Sequence, residues 1–295
     1  MPYRDVKGNR DRGPREFKTH LAESEGEVMT VATKDVVTVS PNTAVKKVAR
    51  LMEENDFRRI PVTDAGTGRL GGIVSTMDIL DFFGGGQKYN IITDDYEGNI
   101  AAAVNCPVRK IMNKNPMSVR KSASIDDVVR IILEKKTSSI PVVEDQKVIA
   151  IVTERDVLPS ADNFGISVRE VMQKKCIASS KGMMVSDVSK IMVRNRMRRL
   201  PVMLENSLIG VVTVFDVLEF IGEGKFKSID AEKALSTRVD EIMEKNVMSV
   251  SPDTDIAEVS RLVTKTGIGG FPVIENERLL GIITTSDIIR GVREK

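Results

Sequence analysis

Apolar residues recur in the same two rhythms four times along this chain of 295 residues. The copies align on a proline set between apolar neighbours: Ile60-Pro61-Val62, Ile140-Pro141-Val142, Leu200-Pro201-Val202 and Phe271-Pro272-Val273. Sixteen positions earlier stand Val45, Ile125, Val185 and Ile256; thirteen earlier, Val48, Val128, Val188 and Val259; nine earlier, Met52, Ile132, Met192 and Val263. Spacings of three and four place these residues on one face, so each copy predicts an amphipathic helix ahead of its proline. Beyond the proline each copy reaches an apolar β-run that ends in Ser/Thr-x-x-Asp: "GIVSTMD", "AIVTERD", "GVVTVFD" and "GIITTSD". Each unit thus predicts strand, helix, strand, hairpin, strand, helix. A second register lies upstream in "VMT", "IMN", "VMQ" and "IME", whose methionines Met29, Met112, Met172 and Met243 are expected in the core.

Gly66, Gly68 and Gly71 have the G-x-G-x-x-G spacing of a dinucleotide-binding loop. That loop needs a strand before it and a helix after it. Here β-runs lie on both sides, and proline-to-aspartate is seventeen residues in copy one against fifteen in the others. The glycines therefore read as a longer hairpin turn.

A single unit of this size buries little surface. Pairing two would bury an apolar sheet face from each. Copies one and three share "RRIPV" and "RRLPV" and exit through "DILDFFGGG" and "DVLEFIGEG", features absent from copies two and four. A duplicated pair follows, with modules at about 27–160 and 165–293. The repeats are expected at 27–84, 105–160, 165–222 and 236–293, after a polar tail over 1–26 and with linkers at 85–104 and 223–235.

Composition narrows the chemistry. With 41% hydrophobic and 29% charged residues the chain is an ordinary globular one. Its apolar runs are too short for a membrane span and its start lacks a signal-peptide core, so a cytoplasmic protein is the expectation. Cys106 and Cys176 are too far apart for a metal or disulfide motif and are expected as buried or idle thiols. The sole histidine, His20, lies in a tail whose first twenty residues hold six Lys/Arg against three Asp/Glu. No histidine remains for a catalytic triad or a metal site in the folded part.

The Met-containing lead-in, the apolar-Pro-apolar strand and the terminal Ser/Thr-x-x-Asp together resemble the cystathionine-beta-synthase (CBS) domain. The resemblance covers about nine-tenths of the chain. It implies an α/β fold of four repeats paired into two Bateman modules, each repeat a small three-stranded sheet with helices on one side. Four such repeats are similar to archaeal stand-alone CBS proteins and to the gamma subunit of AMP-activated protein kinase, which senses adenine nucleotides.

By itself Ser/Thr-x-x-Asp is also a helix capping box, although such boxes prefer Glu or Gln at the last place. The resemblance implies instead that Asp78, Asp156, Asp216 and Asp287 accept hydrogen bonds from ribose hydroxyls. Ser75, Thr153, Thr213 and Thr284 would then face phosphate. A carboxylate suits a vicinal diol, and a helix N-terminus favours anions. Ahead of the proline strand, copies one and three carry Arg58-Arg59 and Arg198-Arg199, where copies two and four carry Ser138-Ser139 and Gly269-Gly270. The arginines, with Arg155 beside Asp156, are phosphate candidates through bidentate guanidinium bonds. Ser138, Ser139, Gly269 and Gly270 are placed toward adenine, together with Val37, Met117, Ile177 and Met248 at the family's strand start; those four could equally be plain core.

The leading expectation is a non-enzymatic sensor that binds AMP, ADP or ATP in clefts between paired repeats and acts on an unidentified regulated protein. One alternative keeps the fold and changes the ligand, for example to S-adenosylmethionine, whose sulfonium does not suit arginine pairs. Another is a nucleic-acid-binding regulator using the basic tail, for which no helix-turn-helix or zinc finger is present. No nucleophile-base pair or metal constellation supports an enzyme, so neither a catalytic residue nor a catalytic cofactor is expected. A monomer of two stacked modules and a homodimer both remain open.

Overall fold

The computed structural model describes residues 26–222, 233 and 235–295. Apart from Gly26, the tail expected over 1–26 lies outside the described residues, as does most of the linker expected over 223–235. The strands are β1 (Arg59–Thr63), β2 (Leu70–Ser75), β3 (Val119–Arg120), β4 (Ser139–Glu144), β5 (Lys147–Thr153), β6 (Ser179–Ser180), β7 (Arg199–Leu204), β8 (Ser207–Thr213), β9 (Gly270–Glu275) and β10 (Arg278–Thr284). The α-helices used below are α1 (Val28–Val31), α2 (Val45–Glu54), α3 (Thr76–Leu80), α4 (Asn90–Tyr96), α5 (Ile100–Ala103), α6 (Ile125–Lys135), α7 (Val168–Val171), α8 (Val185–Asn195), α9 (Val214–Gly222), α10 (Ile256–Thr266) and α11 (Thr285–Arg293). The chain divides into two compact units. Residues 26–36 and Met117–Val157 form the first, Val37–Pro116 and Leu158–Lys295 the second.

The first unit is one repeat: β3 runs parallel to β4, β4 antiparallel to β5, and α6 supplies Val128 and Ile132 to its core. The second unit holds the other three repeats, with sheets β1-β2, β6-β7-β8 and β9-β10. The helix positions read from the apolar spacing are buried throughout, Ile125 alone being half-buried. Within the second unit, α2 and the Asp81–Gly85 turn share one core with α8 and α9, through Val48, Met52, Phe82 and Phe83 on one side and Val188, Met192, Val217 and Leu218 on the other. Repeat four has its own core around Val259, Phe271 and Ile288, to which Ile166 and Val168 are added.

The third strand is formed in repeats two and three but narrows to single bridges, Val39 to Val62 and Val250 to Val273, in repeats one and four. Two residues past those bridges stand Pro41 and Pro252, which have no N–H to continue a ladder. Lys181 fills the same place in repeat three and donates to Met203 O. The glycine-rich stretch of copy one is the β1-β2 turn, where Asp64 accepts from Gly66 N and from Thr67 N and Oγ1, and Gly68 has φ +69°. Repeats two and four turn on two residues with positive φ, Asp145-Gln146 and Asn276-Glu277, the signature of a tight hairpin.

Two expectations are corrected and a third is filled in. The helix expected after "AIVTERD" is only a turn over 154–157, because Pro159 forces Leu158 out of the helical region. The segment 85–104 is more than a linker: α4 and α5 lie in it, Asn99 caps α5, and Ile92 and Ile100 are fully buried. Its apolar residues are too few and too interrupted to show a helical period. The lead-in of copy one is "VAT", 31–33, rather than "VMT". Thr33 forms the two-way backbone pair with Ile151 that Asn113 forms with Ile73, Gln173 with Ile282 and Glu244 with Val211. Ala32 thus takes the methionine's place.

These backbone pairs exchange the lead-ins. Residues 111–113, which precede repeat two, join β2 of repeat one. Residues 171–173 precede repeat three and join β10 of repeat four; 242–244 precede repeat four and join β8 of repeat three. Facing them, a Cβ on Gly72 or Gly210 would stand 2.7 Å from Met112 Sδ or 2.6 Å from Met243 Sδ. Glycine is required there. In repeat two the glycine is replaced by Ala150, and it is copy one's lead-in, with Ala32 for methionine, that pairs with β5.

Candidate functional site

The antiparallel register after each proline strand sets the same four-residue frame in every repeat. Arg59 lies opposite Ser75, Ser139 opposite Thr153, Arg199 opposite Thr213 and Gly270 opposite Thr284. One residue earlier, the carbonyls of Arg58, Ser138, Arg198 and Gly269 accept the N–H of Thr76, Glu154, Val214 and Thr285. The dipeptide ahead of the proline is thereby fixed against the Ser/Thr-x-x-Asp turn. Sequence spacing suggested the two elements separately, and the hairpin brings them together.

Each aspartate bonds back to its own Ser or Thr. Asp78 Oδ2 accepts from Ser75 N (2.7 Å) and Oγ (2.5 Å), Asp156 Oδ2 from Thr153 N (2.7 Å) and Oγ1 (2.9 Å), and Asp287 Oδ2 from Thr284 N (2.9 Å) and Oγ1 (2.6 Å). Asp216 Oδ2 accepts from Thr213 N at 2.5 Å. In repeats one and four this is a full capping box at the start of α3 and α11. Repeat two keeps the side-chain arrangement with no helix to cap, so capping does not account for it there.

The surroundings of the aspartates differ. Asp287 has no exposed side-chain surface; Gln173 Nε2 donates to both its oxygens (3.1 and 3.2 Å) and Arg290 donates to Oδ1 at 3.3 Å. Asp78 pairs through Oδ1 with Lys88. Burial pushes the Asp216 carboxyl up to about 6; Glu219 and Glu244 push the same way, and the Thr213 bonds oppose them.

The cationic candidates sit at the strand starts. Arg199 donates to the carbonyl of Gly270, and the Arg58 guanidinium lies where a Cβ on Gly269 would be. Arg58, Arg59, Arg198, Arg199 and Arg155 are all half-buried, while Ser138, Ser139, Gly269 and Gly270 are buried. Ser139 Oγ is buried without a hydrogen-bond partner among the described residues, an uncommon state for a hydroxyl. Val37, Met117, Ile177 and Met248 are 36–43% exposed, so none is core. The equivalent position of every repeat thus carries an exposed apolar side chain.

Sequence reading passed over Lys88, Gln173, Glu244 and the buried Glu154. A fixed offset, one place after the lead-in methionine, marks Gln173 and Glu244; nothing in the spacing marks Lys88. Cys106 is buried, with its thiol pushed up to about 11 by burial, and Cys176 is raised by the same cause. Among the described residues no three His, Cys, Asp or Glu cluster as metal ligands, and no helix is long and apolar enough to cross a membrane.

The CBS domain model matches residues 26–85, 108–161, 168–223 and 239–294. Protein MJ1225 of Methanocaldococcus jannaschii is 35% identical over 274 residues, covering 89% of this chain and 98% of that protein. Its crystal structure, proposed as that of an archaeal homologue of g-AMPK, superposes with a TM-score of 0.85 over 90% of this chain and 99% of that one, at 34% identity. A 33.4 kDa protein from the ribosomal RNA operon of Thermofilum pendens is 27% identical over 258 residues, covering 85% of this chain and 86% of that protein.

Proposed function

The chain belongs to the CBS domain family, and from that premise we propose that it is a non-enzymatic sensor of adenine nucleotides that regulates a partner protein. Proteins built of CBS repeats are typically regulatory. The observation that carries the reading is the repeated frame: a Ser or Thr, an aspartate three residues on, and directly across the strand pair an arginine in the odd repeats or a small buried residue in the even ones. A ribose diol suits the carboxylate, phosphate suits the guanidinium and the hydroxyl, and a purine suits the exposed apolar positions 37, 117, 177 and 248. The likeness of MJ1225 to g-AMPK supports the same ligand class.

The test is calorimetric titration of adenosine, AMP and ATP into the full chain and the Arg199→Ala variant, with S-adenosylmethionine as comparison. A charge-assisted hydrogen bond to phosphate contributes about 1.5–3 kcal/mol, so the variant should lose about ten- to a hundredfold for AMP and ATP at the affected site. Adenosine should bind wild type and variant nearly alike. Equal losses for adenosine and AMP would assign Arg199 to holding Gly270 in place, and stronger binding of S-adenosylmethionine than of AMP would sink the nucleotide reading.

A further inference from the structure

We propose that the four aspartates are not equivalent: Asp156 and Asp216 are open acceptors for a ribose diol, whereas Asp78 and Asp287 are latched, by Lys88 and by Gln173. The inference rests on the adenine-nucleotide reading and adds to it which repeats take ligand in the resting protein. All four aspartates spend Oδ2 on their own Ser or Thr, so ligand must be received chiefly at Oδ1. In repeats two and three, Oδ1 of Asp156 and of Asp216 has no hydrogen bond among the described residues, and the recorded bonds of both carboxylates go through Oδ2 alone. In repeat one, Asp78 Oδ1 is taken by the Lys88 ammonium. In repeat four, Asp287 Oδ1 is taken by Gln173 Nε2 and Arg290, and the side chain has no surface left for a ligand.

Both latches are built in rather than being chance surface contacts. Lys88 sits on the short Gln87–Tyr89 turn and is held by its own backbone, whose N–H donates to Asp81 Oδ1 at 3.0 Å. The turn passes so close to Asp81 that a Cβ on Gly86 would lie 2.6 Å from that carboxylate, and glycine admits the approach. Gln173 is fixed by its two-way backbone pair with Ile282, which aims the amide at the next turn of the same repeat. An amide donor satisfies a buried carboxylate without adding charge. At the equivalent place beside Asp216 stands Glu244, which has no donor to offer and repels the carboxylate instead. The residue after the lead-in methionine thus acts as a specificity-determining residue, closing one site and leaving another open.

The experiment is calorimetric titration of adenosine into the full chain, which removes phosphate contacts from the comparison. Wild type should bind two equivalents. Asp156→Asn and Asp216→Asn should each remove one, while Asp78→Asn and Asp287→Asn remove none. Lys88→Ala and the double variant Gln173→Ala/Arg290→Ala, which frees Asp287 Oδ1 of both its donors, should each raise the count to three, and Lys88→Arg, which keeps the cation, should leave it at two. Thermal melting of each variant identifies any that fails to fold, and the two gain-of-site variants keep all four aspartates. Loss of an equivalent on Asp78→Asn or Asp287→Asn in folded protein, or unchanged counts in both latch variants, overturns this inference alone. Absence of any binding by wild type overturns the nucleotide reading and this inference with it.

Discussion

Asp216→Asn should stabilise the ligand-free protein at neutral pH relative to acid pH, against the habit that replacing a hydrogen-bonded carboxylate is costly. Burial raises the folded-state pKa of Asp216 to about 6 from an ordinary 3.8, with Glu219 and Glu244 adding to it. About two pKa units correspond to about 3 kcal/mol between the protonation states. Since the folded value is the higher one, this contribution is fully present below about pH 3.8 and is lost as pH rises through about 6. Integrating the proton-binding difference from pH 5 to pH 7.5 gives a loss of about 1.4 kcal/mol that wild type suffers and the variant does not. For a chain of this length that is a relative shift of about 2 °C in melting temperature. The assay is paired thermal melts of wild type and variant at the two pH values, where every other titrating group cancels in the difference. A pH-independent difference, or one that moves in the variant's favour toward pH 5, would refute the buried-charge argument.

Two further outcomes concern packing and backbone. Gly210→Ala puts a Cβ 2.6 Å from Met243 Sδ and 2.9 Å from Glu244 O, and should cost about 1–3 kcal/mol. Adding Met243→Ala recreates the alanine pair found at Ala32 and Ala150, so the double variant should be at least about 0.5 kcal/mol more stable than the sum of the singles in a denaturation cycle; additive costs would dismiss the size-exchange explanation. Lys136 and Arg196 end α6 and α8 in the left-handed region at φ 51° and 54°, where α10 uses Gly267. Lys136→Gly and Arg196→Gly should each raise stability by about 1 kcal/mol by melting, and a loss in both would show that their side chains matter more than their backbone.

The helices were legible because three apolar positions per copy fix a face, and four copies at constant offsets leave little room for another register. The frame of the candidate site was half legible. The arginine pairs and the Ser/Thr-x-x-Asp turns stand out in the sequence, but only the hairpin register shows that residues such as Arg199 and Thr213 face each other. The "VMT" of copy one misled by three residues, since it matches the other lead-ins in composition while "VAT" matches them in pairing. A signal existed: Ala150 is the one copy without the glycine that a methionine needs opposite it. Pro41 and Pro252 likewise marked the shortened third strands. Of the latches, Lys88 lies in a stretch without periodicity and could not be read, while Gln173 is marked by its offset from the lead-in methionine but its target Asp287 lies 114 residues away.

That span has a consequence for synthesis. The lead-in of repeat three leaves the ribosome long before β10 exists, and at about 5–20 residues per second its partner follows roughly six to twenty seconds later. Through that interval a short edge carrying Val171, Met172 and Gln173 has no strand to pair with, and Asp287, which Gln173 will cover, has not been made. Repeat three can collapse around α8 and α9 without waiting, but its own sheet is joined by residues 242–244, which also come late. Repeats three and four therefore complete their sheets only together. A chain cut before β10 leaves the repeat-three lead-in as a permanent open edge, the kind of surface that seeks a second copy when its own chain cannot supply the strand.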